Sequence, residues 1–410
     1  MTGRPLHALL LPPAAGAGRL LGALAAALDG TGPAILPLDP RLPPAKVTGL
    51  LRAFSPDVLE TPEGAIRWRP AAAVRASAGS GAGLPDEVAV VIATSGSTGE
   101  PKGVQLSATA LRHSAGASLR RLMARPGERW LCPLPTSHIA GLGVLVRSLV
   151  AGTDPVVTDR LRPAELGTHG CAFVSVVPTQ LSRLLDAGAD LAAFRAILVG
   201  GAAVPASLVT AARAAGARVV ITYGMSETCG GCVYDGVPLD GVAVGTGAGG
   251  LIRIGGPVVF SGYRNRPGLT AAALDDGWFV TSDVGRVGAD GRLTVRGRAD
   301  EMINTGGEKV APAEVTAILA EVPGVREAAV FGVPDPEWGE RVTAAVVPAD
   351  PSEPPQLANL RAAVRRRLPS YAEPKALLLL PELPLLPSGK PDIAALRNRA
   401  ARESDPQPER

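Results

Sequence analysis

The chain has 410 residues, 46% hydrophobic and 19% charged, with a net charge of +3 from 41 Lys plus Arg against 38 Asp plus Glu. At roughly 150 residues per domain this is material for two or three cores, and it excludes a disordered tail, a collagen-like repeat and a disulfide-stapled miniprotein. The small net charge gives no argument for a nucleic-acid partner.

The opening MTGRPLHALLLPPAAGAG is interrupted by Pro12 and Pro13, and no apolar run approaches the ~20 residues of a membrane span. Neither a secretory leader nor membrane insertion is expected. Four cysteines without a secretory pattern fit a reducing compartment, so a cytoplasmic location is expected.

Strand-like and helix-like runs then alternate: HALLL with RLLGALAAALDG, AVVIA with the segment after Ser107, CAFVSVV with TQLSRLLDAG, RAILVG with SLVTAARAAG. That alternation predicts α/β layering with mostly parallel strands. Residues 71–86 are small and polar and read as a surface connection before a strand at 87–93. From about Gly250 the pattern turns to short strands, with Ala289-Asp290-Gly291 as a hairpin signal. After Arg298 a second alternation predicts a helix at 312–321, strands at 326–333 and 341–347, a helix at 356–367 and a strand at 375–380. A boundary near Asp300 divides the chain into a large unit, 1–299, and a small mobile α/β (α+β) unit, 300–410. Residues 348–355 read as a loop and 401–410 as a frayed tail.

The strongest local signal is AVVIATSGSTGEPKGVQLS, residues 89–107, where a buried strand runs into Thr94, Ser95, Gly96, Ser97, Thr98, Gly99 and then Lys102. Hydroxyls, bare backbone amides and one ammonium suit a polyphosphate. Only five lysines occur in the chain (Lys46, Lys102, Lys309, Lys375, Lys390), so one placed here stands out. The segment is not a Walker A loop, because Pro101 precedes the lysine.

In order with TYGMSET (222–228), WFVTSDVG (278–285), RGRADEMINTGGEKVAPAEV (296–315) and LPLLPSGKPD (383–392), this segment resembles the adenylate-forming superfamily of acyl-CoA synthetases, luciferases and peptide-synthetase adenylation domains. The resemblance covers residues 89–392. It implies a large AMP-binding domain with a small C-terminal lid, and ATP, Mg²⁺ and coenzyme A as cofactors. Gly201, Ala202, Tyr223, Gly224, Ser226, Asp283 and Arg298 would join the 94–102 segment in holding nucleotide. Of these, Tyr223 would face the purine, Ser226 the α-phosphate, and Asp283 with Arg298 the ribose. Glu227 would ligate Mg²⁺, which takes hard oxygen ligands. Asp300 matches the hinge, Lys390 the catalytic lysine of the lid, and Gly306 and Gly307 the segment that lines the CoA channel. His138 stands where CoA-forming members carry a gating residue.

Two further patterns carry less. Gly245, Gly247 and Gly250 satisfy G-x-G-x-x-G, but LIRIGG after them reads as a strand where a dinucleotide site needs a helix. Cys229 and Cys232 form a C-x-x-C pair without a second pair at zinc spacing, and are expected to shape an aryl pocket.

The nucleotide segment begins early and the connection from Glu227 to Gly255 is short. This compactness, with YGMSETCGGCVYDGVPLDGV, resembles the o-succinylbenzoate–CoA ligases of menaquinone biosynthesis. The alternatives are another aryl- or acyl-CoA ligase of this fold and a non-catalytic nucleotide-binding relative. The expected partners are a small carboxylic acid, ATP and CoA, and a second copy of the chain in a homodimer.

Overall fold

The computed structural model describes residues 3–68, 84–95, 100–385 and 391–404. Two seven-stranded sheets dominate the first part of the chain. In the first, Val88–Ser95, Ala34–Leu38, Leu6–Leu10 and Val58–Thr61 run parallel, flanked by antiparallel strands. In the second, Val219–Met225, Ala196–Val199, Phe173–Val176, Trp130–Cys132 and Val156–Val157 run parallel, with Gly230–Tyr234 antiparallel to the first of them.

Helices Ala17–Leu28, Ala108–Arg121 and Ile139–Ala151 lie against the first sheet in one apolar cluster. The last two also pack on the second sheet, through Ala117, Leu122 and Val144 against Trp130, Phe173 and Leu198. They are therefore buried on both sides. This fits the single charged residue, Arg147, of the 13-residue helix IAGLGVLVRSLVA: packed between two sheets, it leaves only Ala140 and Val150 exposed, too little for a broad polar face. Pro44–Phe54 covers the outer face of the first sheet, and Pro178–Asp186 and Ala206–Ala214 that of the second. The result is an α-β-α-β-α stack, and the strands AVVI, covered on both faces, are apolar at consecutive positions as buried parallel strands require.

A third, antiparallel sheet contains Ala243–Thr246, Leu251–Gly255, Leu274–Asp275, Trp278–Val287 and Leu293–Arg298. The last two strands form the hairpin expected at Ala289-Asp290-Gly291. Gly245, Gly247 and Gly250 fall in and beside another antiparallel hairpin, so the dinucleotide pattern has no helix to serve.

The fourth sheet comprises Ile303–Thr305, Glu308–Val310, Val325–Asp335, Gly339–Pro348 and Ala376–Leu379. Helices Pro312–Leu319 and Leu357–Arg365 pack on one face, and Ile393–Ser404 on the other. Glu373 is buried at the join between sheet and helix, its side chain only 3% exposed. It accepts hydrogen bonds from Arg361 Nε and from Nε and Nη2 of Arg365.

Candidate active site

The signalled residues sit where the parallel strands end, the edge at which open α/β sheets bind ligands. Val88–Ser95 delivers Thr94 and Ser95; the chain returns antiparallel as Pro101–Ser107, pairing Thr94 with Lys102. Gly103 must lack a side chain, since a Cβ there would come within 2.8 Å of the Phe54 ring. Gly96, Ser97, Thr98 and Gly99 lie outside the described residues, as does Lys390.

The second sheet contributes the next segment. Ala196–Val199 ends at Gly200, Gly201 and Ala202, and Val219–Met225 carries Tyr223 and Gly224 before the one-turn segment Ser226–Thr228. Gly224 opposes Gly231 at a bulge, where a Cβ would stand 2.0 Å from the Gly230 carbonyl. Thr228 Oγ1 braces the turn by accepting from the Met225 N–H and donating to the Gly230 carbonyl. Ser226 is buried within it.

Two tyrosine–carboxylate bonds hold this edge. Tyr223 donates to Asp283 Oδ2 at 2.9 Å, and Tyr263 donates to Glu227 Oε1 at 2.8 Å. Burial and the adjacent carboxylate raise the pKa of both phenols, so each stays protonated and donates. Lys102 Nζ lies 5.4 Å from the Tyr263 ring centroid. Contacts thus run from Thr94 and Lys102 through Tyr263 to Glu227, and from the same turn through Tyr223 to Asp283.

Arg298 stands opposite Asp283 in the strand register, but its guanidinium makes a two-point bond to Asp300 at 2.8 and 2.9 Å. That bond raises the arginine pKa and lowers the aspartate's. One residue expected at the ribose and one expected at the hinge are joined to each other. Close by, Arg296 makes a two-point bond to Glu314 across this junction.

His138 precedes the helix Ile139–Ala151. Burial lowers its pKa, Asp39 opposes that and Arg41 adds to it. Gly306 and Gly307 form the exposed tip of the 303–310 hairpin, Gly306 resting on Trp338.

The cysteines are not where the aryl-pocket expectation put them. Cys229 and Cys232 are buried in two apolar clusters, because the turn and the following strand direct both thiols inward; the accessible positions between them are Gly230 and Gly231.

Tyr263 and Arg147 were not singled out by sequence reasoning. Arg147 Nη2 donates to Ser175 Oγ at 3.1 Å, its guanidinium lies 4.2 Å over the Trp130 ring, and its buried Nε has no partner. Among the described residues no carboxylate pairs with it. Ile139, Gly143 and Arg147 are four apart, on one face of the helix, and Gly230 approaches Ile139. Its signal was present: a lone charge in an apolar helix.

For a divalent cation, no described cluster offers three protein ligands. Glu227 offers one carboxylate oxygen that takes no hydrogen bond among the described residues. This fits Mg²⁺, which is commonly held by one or two carboxylates together with substrate phosphates and water.

Layers and site together define an adenylate-forming enzyme. The AMP-binding enzyme family matches residues 75–264, and the AMP-binding enzyme C-terminal domain matches 314–390. The chain belongs to the AMP-binding enzyme family, as an acid–thiol ligase. It is 48% identical over 336 residues, 78% of this chain and 87% of the relative, to the probable 2-succinylbenzoate–CoA ligase of Mycobacterium tuberculosis strain H37Rv. It is 37% identical to a feruloyl-CoA synthase of Amycolatopsis sp., over 74% of this chain and 68% of that one. The solved o-succinylbenzoate CoA synthetase of Bacillus subtilis, in complex with the acyl-adenylate OSB-AMP, superposes with a TM-score of 0.79 at 26% identity, covering 100% of this chain and 90% of that one.

Proposed function

We propose that this chain converts o-succinylbenzoate to o-succinylbenzoyl-CoA in menaquinone biosynthesis, with ATP and CoA as co-substrates. The observation that carries the reading is the continuity from Lys102 through Tyr263 to Glu227 and from Tyr223 to Asp283, combined with 48% identity to a ligase named for that acid.

A carboxylate is a poor electrophile. In the first half-reaction its oxygen attacks the α-phosphorus of ATP and pyrophosphate leaves. In the second, the CoA thiol attacks the acyl carbon, AMP leaves and the thiol proton is released. Both reactants of the first step are anionic, so cations are needed where charge builds up. Lys102 and Lys390 would supply them, with Glu227 holding Mg²⁺, which when bound offsets phosphate charge. Tyr223 would lie against the purine, Asp283 would accept from the ribose hydroxyls, and Ser95 to Gly99, Gly201, Ala202 and Ser226 would line the phosphates. The small lobe from Asp300 would rotate between half-reactions, exchanging Lys390 for Gly306 and Gly307.

The acid carries a second carboxylate on its ring. Arg147, half-buried and without an acidic partner among the described residues, is suited to receive it, because a guanidinium without a carboxylate is incompletely compensated. His138 at the head of the same helix would stand by the entry of the thiol. Cytoplasmic residence belongs to this reading, supported by four free cysteines and by the lack, among the described residues, of a helix long and apolar enough to cross a membrane. So does a homodimer, which light scattering tests.

Turnover with a panel of acids tests the substrate. o-Succinylbenzoate should be preferred over ferulate, fatty acids and amino acids in an ATP- and CoA-dependent assay. The 37% identity to a feruloyl-CoA synthase makes ferulate the informative rival, and a preference for it would replace this reading with that of a hydroxycinnamate ligase.

A further inference from the structure

We infer that Tyr263 is a positioning residue for the metal, holding Glu227 so that one carboxylate oxygen is committed and the other is presented to Mg²⁺. The inference rests on the reading of Glu227 as the metal ligand and deepens it.

Glu227 follows Ser226 in a one-turn segment, and an unrestrained glutamate there would have three free side-chain torsions. The Tyr263 hydroxyl removes that freedom by bonding Oε1 at 2.8 Å, while Oε2 takes no hydrogen bond among the described residues. The backbone is fixed as well, since the Phe260 N–H donates to the Glu227 carbonyl at 2.9 Å. Tyr263 is itself held on every side. It pairs with Val104 in the strand register, its N–H donates to Thr270 Oγ1, and its ring packs edge-on against Phe260 with centroids 4.8 Å apart. Neighbouring residues repeat the attachment: Ser261 N–H donates to the Gln105 carbonyl and Arg264 N–H to the Gly103 carbonyl.

The strand to which Tyr263 is tied, Pro101–Ser107, carries Lys102 at its second position, and Lys102 Nζ lies over the Tyr263 ring. One side chain sets the distance between the cation expected at the phosphates and the carboxylate expected at the metal. A hydroxyl donor also suits a ligand that must stay anionic, since it leaves the carboxylate's charge in place. Groups in this second position commonly alter metal affinity by roughly 10- to 100-fold.

The test is calorimetric titration of ATP into Tyr263→Phe and the parent, in EDTA and across a series of Mg²⁺ concentrations, without acid or CoA. Phenylalanine keeps the ring that packs on Phe260 and faces Lys102. The expected result is an unchanged metal-free ATP affinity, and a half-effective Mg²⁺ concentration raised about 10-fold. Adenylation should lose rate at low Mg²⁺ and regain it at high Mg²⁺, and Tyr263→Phe should add little to Glu227→Gln in the Mg²⁺ response. An unchanged Mg²⁺ response in Tyr263→Phe overturns the inference alone, as does an equal loss of metal-free ATP binding, which marks a packing role. A parent whose ATP binding ignores Mg²⁺ overturns the reading of Glu227, and the inference with it.

Discussion

The hydroxyl of Tyr223 and the Oδ2 atom of Asp283 are 2.9 Å apart and hydrogen-bonded, although 60 residues separate them in the chain. The face proposed for the purine and the acceptor proposed for the ribose are thus tied to each other, and the bond restricts the rotation of the Asp283 carboxylate.

Removing that bond should cost nucleotide affinity. Tyr223→Phe, which keeps the ring, should weaken ATP binding about two- to tenfold, the range for one net hydrogen bond; Asp283→Asn should weaken it by about tenfold or more. Isothermal calorimetry with ATP checks both, and parental affinity in Tyr223→Phe would show that Asp283 needs no such support.

Arg147→Gln should raise the KM for o-succinylbenzoate at least about tenfold, as expected when one partner of a half-buried charge contact is lost, and leave the KM for ATP unchanged. Benzoylpropanoate, which lacks the ring carboxylate, should be used equally by the variant and the parent. A similar loss with both acids would identify Arg147 as a packing group on Trp130.

Lys390→Ala should remove most adenylation, measured as pyrophosphate exchange, by about 100-fold or more. It should leave thioester formation from supplied acyl-AMP nearly intact. Equal losses in the two half-reactions would contradict a lysine used in only one of them.

The Arg296–Glu314 bond spans the junction on which rotation of the small lobe would turn, and the tip Gly306-Gly307 is exposed in the arrangement that this bond holds. Glu314→Gln should therefore shift activity toward the thioester half-reaction. The bond is partly exposed, so the change in the ratio of half-reaction rates should be modest, about two- to fivefold. Single-turnover measurements of each half-reaction give that ratio, and an unchanged value would make the bond incidental to the rotation.

Glu373 ties helix Leu357–Arg365 to its sheet, and hydrogen bonds from Arg365 and Arg361 hold its carboxyl at about 2, against burial that would raise it. A folded pKa below the ordinary value of 4.5 contributes stability that is fully present above that value and is lost as pH falls toward 2. Glu373→Gln should lower the melting temperature near neutral pH, by about 1–3 kcal/mol in stability terms. The gap to the parent should close progressively on acidification below about pH 4.5. A gap that does not depend on pH would assign Glu373 a packing role.

The layers were legible because a strand covered on both faces must be apolar at consecutive positions, as in AVVIA, and a helix packed between two sheets is apolar along most of its length. The motif segments were legible because their chemistry needs particular residue types close together in sequence. Tyr263 was not, because its partners Glu227 and Lys102 lie 36 and 161 positions away and SGYRN has no composition of its own. The two-point bond of Arg298 to Asp300 was missed for a different reason: an arginine between two aspartates can choose either, and only the register of Trp278–Val287 with Leu293–Arg298 decides. Cys229 and Cys232 misled because sequence proximity to Glu227 was read as spatial exposure.

All four cysteine thiols lie in the interior. Burial pushes the thiol pKa up at each, to about 11 at Cys132 and about 12 at Cys232, with Cys171 and Cys229 also raised. Near neutral pH the chain therefore presents almost no thiolate of its own. A catalyst that handles an activated acyl group beside a free mercaptan is spared self-acylation and mixed disulfides with its co-substrate, and the only sulfur nucleophile that the reactive anhydride meets is the one that diffuses in.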